Sequence, residues 1–169
     1  GANGVTVTKV LTFRRNSYLV DISWEVANGG EKPLAAHAYL QLQRDDVAPA
    51  GETAMVSTFT GPAVYTDADK YQKVDFSSIA ENKAKFAKSA DNGWLAMVQH
   101  YFVAAIVPKD KTAREFYMRK VEGSNLFQTG VIVPVAEIAP GATGETTVSL
   151  FAGPQEQAAV LGRRRGSLR

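Results

Sequence analysis

An all-β fold, an antiparallel β-sandwich, is what this sequence predicts, and three observations predict it. Apolar and polar residues alternate with a period of two over residues 18–27 and again over 34–44. That is the pattern of strands with one dry and one wet face. A nearly unbroken apolar run, Tyr101 to Val107, lies between Gly93 and Pro108. It falls well short of the ~20 residues that cross a bilayer, so it reads as a strand buried on both faces. Segments of this kind follow one another along the chain, separated by Gly- and Pro-bearing turns, with almost no helical periodicity.

Taken in order, Val5 to Phe13 is rich in Val and Thr, which suit a pleated surface. Arg14-Arg15-Asn16-Ser17 is a polar turn. Tyr18, Val20, Ile22, Trp24 and Val26 then make the dry side of a strand, with Leu19, Asp21, Ser23 and Glu25 on its wetter side. After the turn Asn28 to Pro33, residues Ala36, Ala38, Leu40 and Leu42 alternate with His37, Tyr39, Gln41 and Gln43. The spacing predicts a hairpin pairing Tyr18–Ala27 with Leu34–Arg44. Thr58 to Tyr65 reads as a bent edge segment because Gly61 and Pro62 interrupt it. Residues 67–91 hold most of the remaining charge and read as exposed, with a short strand near Tyr71 to Phe76 and a helical turn over Ser77 to Asn82.

The stretch Asn92 to Pro108 is the expected centre of the core, anchored by Trp94 and Tyr101. Ala113 to Val121 gives a strand with Phe116 and Met118 inward. Asn125 to Ile138 gives one or two more, interrupted at Gly130 and Pro134. Thr146 to Phe151 is a last strand, and Gly153-Pro154 opens a short C-terminal helix, Gln155 to Leu161.

The chain has 169 residues, enough for one domain with a substantial core. With Gly1 at its start it reads as part of something longer. The expected division is one β-domain over 1–161 and a basic tail over 162–169, disordered or artificially added. The absence of cysteine removes disulfides and thiolate metal sites. The formal charge of +2 is a property of the tail: setting aside Arg163, Arg164, Arg165 and Arg169 leaves −2. A nucleic-acid-binding face, which needs cations spread over a surface, finds no support.

Few residues carry chemistry. His37 falls on the polar side of its strand and reads as solvated. His100, beside the apolar run, reads as a hydrogen-bonded structural histidine. No spacing supplies three or four zinc ligands. No nucleophile elbow or phosphate-cradling glycine loop is present either. No cofactor and no enzymatic reaction are expected. Asp67 and Asp69, flanked by Tyr65 and Tyr71, are either a solvated surface or a binding patch. The run Arg163 to Arg165 is a solvated tail or a contact for anionic lipid headgroups.

Several segments, in order, resemble the periplasmic domain of the YidC family of bacterial membrane protein insertases, within the Oxa1 superfamily. They are Asn28-Gly29-Gly30-Glu31-Lys32-Pro33-Leu34, Thr58-Phe59-Thr60-Gly61-Pro62-Ala63, Lys70 to Phe76 with Ile79-Ala80, Asn92 to Phe102 with Ala104 and Pro108, Pro140-Gly141, and Phe151-Ala152-Gly153-Pro154. The likeness covers about residues 1–160. It implies a β-supersandwich, similar in shape to mutarotase-like and sugar-binding domains, lying between the first two membrane helices of an inner-membrane protein. This chain resembles the C-terminal part of that domain.

The family inserts and folds inner-membrane proteins, alone or with the Sec translocon. Its insertion groove lies in membrane helices outside this stretch, so no insertase activity is expected here. The resemblance also implies a contact with the SecD–SecF accessory subunits at roughly residues 41–91. Within that region Tyr65, Asp67, Asp69, Tyr71 and Lys73 are the expected partner-binding residues. The tail from Gly162 does not match the family, which continues there as a helix towards the next membrane span. The alternatives are a carbohydrate- or peptide-binding module and a holdase with an exposed apolar groove.

Overall fold

The computed structural model describes residues 2–48, 58–109 and 111–156. After a single 3-10 turn at Ala2–Gly4, eleven strands and one short helix follow in chain order among the described residues. They are β1 (Val5–Phe13), β2 (Leu19–Asn28), β3 (Leu34–Asp45), β4 (Gly61–Thr66), β5 (Lys70–Lys73), α1 (Phe76–Ala80), β6 (Ser89–Ala90), β7 (Trp94–Val98), β8 (Phe102–Pro108), β9 (Arg114–Lys120), β10 (Leu126–Ile138) and β11 (Thr143–Pro154). One sheet has seven strands in the order β1-β2-β11-β8-β7-β4-β5, and the other has four in the order β3-β10-β9-β6. Every pairing is antiparallel. The predicted sandwich is therefore present.

The hairpin expected between residues 18–27 and 34–44 does not form. β2 pairs with β1 and β11, whereas β3 pairs with β10, in the other sheet. Alternation tells which side of each strand is dry, and two dry sides can meet across a core as well as along an edge. Here the corner is held by Asn28, only 2% exposed. Its side-chain Nδ2 donates to the Lys32 carbonyl at 2.8 Å and to the Ile138 carbonyl at 2.9 Å, and its Oδ1 accepts from the Gly30 amide at 3.0 Å. A buried amide with these bonds directs the chain out of one sheet and into the other.

β4 is not an edge. It lies between β7 and β5, and all of its residues except Tyr65 are buried. Pro62 is tolerated for a geometric reason. Its carbonyl accepts from the Val74 amide at 2.9 Å, so its missing N–H faces the β5 side, beyond Lys73, the last paired residue of β5. Likewise β10 runs unbroken through Gly130 and Pro134, because Pro134 lies past Ile132, the last residue paired with β9. One flank of the strand has no ladder there to lose.

The apolar run is the second half of a hairpin. β7 and β8 sit in the middle of the large sheet and turn at His100-Tyr101. β8 is buried on both sides as expected. Ile106 enters the core between the sheets with Val64, Leu95, Phe127, Val131 and Val148. Val103, Ala105 and Val107 join Ala63, Ala96 and Phe151 on the opposite side of the sheet. Phe116 is buried inward as expected, and Met118 packs against the same core. Of the two expected anchors, Trp94 is half-buried and Tyr101 is exposed, because it occupies the turn itself. Gln155 and Glu156 begin a helical turn; the rest of the expected helix and the tail lie outside the described residues.

Gly93, with φ 92°, enters β7 directly under β4, and a Cβ there would lie 1.9 Å from the Tyr65 carbonyl oxygen. Gly93→Ala therefore meets both backbone strain and a backbone clash. We expect it to lower stability by roughly 2–4 kcal/mol, read as a fall in the urea midpoint at unchanged slope.

Candidate functional site

All five sequence-predicted residues lie on the β4–β5 hairpin, four of them toward its tip. Tyr65 stands opposite both Tyr71 on β5 and Trp94 on β7. Its ring stacks on Trp94 at 5.8 Å and 13°, and Tyr71 tilts against the same indole at 5.8 Å. Burial against these rings pushes the Tyr71 hydroxyl pKa up. Asp67 and Asp69 stand at the exposed tip. The tip is ordered from within: Asp69 N–H donates to Thr66 Oγ1 at 3.0 Å, and Lys70 Nζ donates to the Asp67 carbonyl at 2.7 Å. Lys70 takes φ 58°, the left-handed conformation this turn needs. Lys73 lies at the far end of β5, its ammonium 5.1 Å from the Phe59 ring, so it borders the patch without belonging to the tip.

Two residues the sequence reading passed over hold this hairpin in place. Asn92 Oδ1 accepts from the Asp67 amide at 2.7 Å. Arg114, 1% exposed, ties down the loop that carries Asn92. Its guanidinium donates to the carbonyls of Gly93 at 3.0 Å, Asp91 at 3.2 Å and Thr112 at 2.9 Å. An arginine at a strand start reads as a surface residue, and only the folded backbone brings these carbonyls to it.

A second surface is the outer side of the small sheet. Its rows follow the registers: Gln43, Gln128 and Arg119; then Gln41, Gly130 and Tyr117; then Tyr39 and Ile132; then His37 and Pro134. Gly130 has a reason to be glycine, since a Cβ there would sit 2.5 Å from the Tyr117 ring. The ring lies across it, and the phenol donates to Gln41 Oε1 at 2.8 Å. Burial pushes that phenol pKa up. Arg119 Nε donates to Gln128 Oε1 at 2.7 Å, and Gln128 Nε2 donates to Gln43 Oε1 at 2.7 Å. The result is an open groove of about 700 Å³ lined by aromatic rings and amides.

His37 is exposed on this groove, and His100 is half-buried, bonded to Thr58 Oγ1 and set edge-on to Tyr101. Among the described residues, no three His, Cys, Asp or Glu side chains could hold a metal ion.

The strongest electrostatic feature is on the outer side of the large sheet. Asp21, expected on the wet face, is buried there. Ser149 Oγ donates to it at 2.6 Å, Arg14 Nη1 at 2.6 Å, and Lys109 Nζ lies at 3.1 Å. The Ser149 bond and the two cations outweigh burial and hold its pKa at about 2, below the ordinary 3.8.

Fold and surfaces define the class first: an open, two-sheet antiparallel β-sandwich of mutarotase-like architecture. A galactose mutarotase related enzyme from Lactobacillus acidophilus matches it with a TM-score of 0.56 over 88% of this chain and 61% of that one, at 9% identity. At that identity the likeness shows the fold alone. The chain belongs to the YidC periplasmic domain family, whose model matches residues 1–166.

Relatives named membrane protein insertase YidC include those of Dechloromonas aromatica, 78% identical over 94% of this chain, and Aromatoleum aromaticum, 58% identical over 92%. The chain spans 29% and 28% of those two relatives' lengths. The family places it on the periplasmic side of the bacterial inner membrane. No helix among the described residues is long and apolar enough to cross a membrane.

Asp21 makes the fold acid-sensitive in a defined window. Its depressed pKa contributes stability that is fully present above about 3.8 and is lost as pH falls toward about 2. Asp21→Asn should be less stable than the parent at neutral pH, with the difference closing between those two values in thermal melts.

Proposed function

We propose that this chain is the periplasmic interaction domain of a membrane protein insertase that inserts and folds inner-membrane proteins, alone or with the Sec translocon. The observation that carries this reading is the family match over residues 1–166 together with relatives named for that activity. In this reading the domain performs no reaction of its own and needs no cofactor. Its part is to hold accessory subunits near the insertase, and the SecD–SecF subunits are the proposed partners.

The surface proposed for that contact is the β4–β5 hairpin. β5 is the outermost strand of the large sheet among the described residues, and an outermost strand is where a partner can add. The Tyr65, Tyr71 and Trp94 rings supply a rigid aromatic anchor, and Asp67, Asp69 and Lys73 supply a charged rim. An aromatic centre with a polar rim is the common anatomy of a protein interface.

The groove on the small sheet favours a second reading, a carbohydrate- or peptide-binding module, because rings and amides line one concave surface. Calorimetric titration separates the two. Heat with a saccharide or an extended peptide that disappears in Tyr117→Ala supports the groove, and silence with every such ligand removes it.

For the hairpin, Asp67→Lys, Asp69→Lys and Lys73→Glu should each reduce co-purification with the SecD–SecF subunits severalfold, since rim charges steer association. Their melting temperatures should stay within about 3 °C of the parent, as surface substitutions do. Unchanged co-purification in all three would remove the hairpin from the contact.

A further inference from the structure

Four exposed aromatic residues, distant in sequence, stand at one end of the large sheet. Phe13 ends β1, Tyr18 precedes β2, Tyr101 lies in the β7–β8 turn, and Phe102 opens β8. The registers set them along the same end of the sheet, though not in contact: Phe13 pairs with Val20 and so stands level with Leu150, four residues along β11 from Pro154, the partner of Phe102. The Ala152 amide donates to the Tyr18 carbonyl, and the Gln155 amide to the Tyr101 carbonyl, each at 3.0 Å. Phe13 is 72% exposed, Tyr18 48%, Tyr101 79% and Phe102 47%. Tyr18 is exposed although it packs. Tyr18 lies over Gly153, where a Cβ would be 2.8 Å from its ring, and meets Phe151 edge-on at 6.0 Å. The backbone at Tyr18 and Tyr101 is thus fixed by strand bonds while their side chains stay open to solvent.

The charges beside them have a sign. Arg14 and Arg15, both exposed, occupy the turn between Phe13 and Tyr18. Arg14 shares Asp21 with Lys109. Glu156 is the exposed acid where the chain leaves β11 at this same end. Among the described residues this end carries Arg14, Arg15 and Lys109 against Asp21 and Glu156, a small excess of positive charge. Exposed tyrosine and phenylalanine at strand ends and turns, with guanidinium groups nearby, are the composition that settles at the boundary of headgroups and acyl chains. Arginine beside them meets anionic headgroups.

We propose that this end of the sheet rests on an anionic lipid surface, with Phe13, Tyr101 and Phe102 entering the headgroup boundary and Arg14 and Arg15 on the phosphates. The docking places the β4–β5 tip away from the lipid, because Thr66 and Phe102 lie at opposite ends of their strands. It stands independently of whether that tip binds the proposed subunits.

Flotation of the 169-residue chain with vesicles tests it. The chain should rise with vesicles of phosphatidylethanolamine and phosphatidylglycerol and remain below with phosphatidylcholine alone. Combined Phe13→Ser, Tyr101→Ser and Phe102→Ser should weaken the binding roughly tenfold or more, with an unchanged circular dichroism melt. An exposed control away from this end, Val7→Ser, should float like the parent. Combined Arg163→Gln, Arg164→Gln and Arg165→Gln should retain binding. Parent protein that stays with the unbound fraction overturns the proposal, as does equal flotation of the triple serine variant. Complete loss in the arginine-tail variant also overturns it, since the tail would then be the whole contact. So would loss of subunit co-purification, with vesicle binding intact, in the serine variant, because the face would then belong to a protein.

Discussion

A strand that is apolar on both sides has to be covered twice, and β8 imposes that condition on this molecule. Ile106 belongs to the core between the sheets, while Val103, Ala105 and Val107 belong to the cluster on the far side. The strand can only be an interior one, so β7 and β11 flank it and the rest of the large sheet builds outward. The small sheet then needs only one dry face. Ala38, Phe116, Phe127, Val131 and Val133 supply it, leaving His37, Tyr39, Gln41 and Tyr117 outside. The groove on the small sheet is thus a consequence of covering β8.

The polar interior supports the same frame. Arg114 and Asn28 spend their donors on backbone carbonyls at the loops where strands enter and leave the sheets. Each such group would be costly to bury without those bonds. The bonds confine the loop around residue 92, and that loop in turn receives the Asp67 amide. These bonds give the exposed tip a rigid base.

The large sheet also separates its two ends. The hairpin tip stands at one end, and the turns carrying Phe13, Tyr18 and Tyr101 stand at the other. Asp21, with Arg14, joins the first turn to the sheet, so the arginine there is both a tether and part of the exposed rim.

By itself the sequence determined the fold class, most strand positions and the doubly buried β8, because period and run length are local properties of the chain. Ordered motifs such as Asn28 to Leu34 and Asn92 to Phe102 carried the family resemblance, which the match over residues 1–166 establishes. The sequence also placed Tyr65, Asp67, Asp69, Tyr71 and Lys73 near one another, since they are neighbours in the chain. Only the tertiary structure decided that β2 and β3 belong to different sheets, that β4 is interior, and that Tyr101 points outward. It alone joined Trp94 to Tyr65, and Arg114 to Gly93. Alternation specifies which face of a strand is dry; pairing partners depend on contacts between residues far apart in the chain, which no local pattern records.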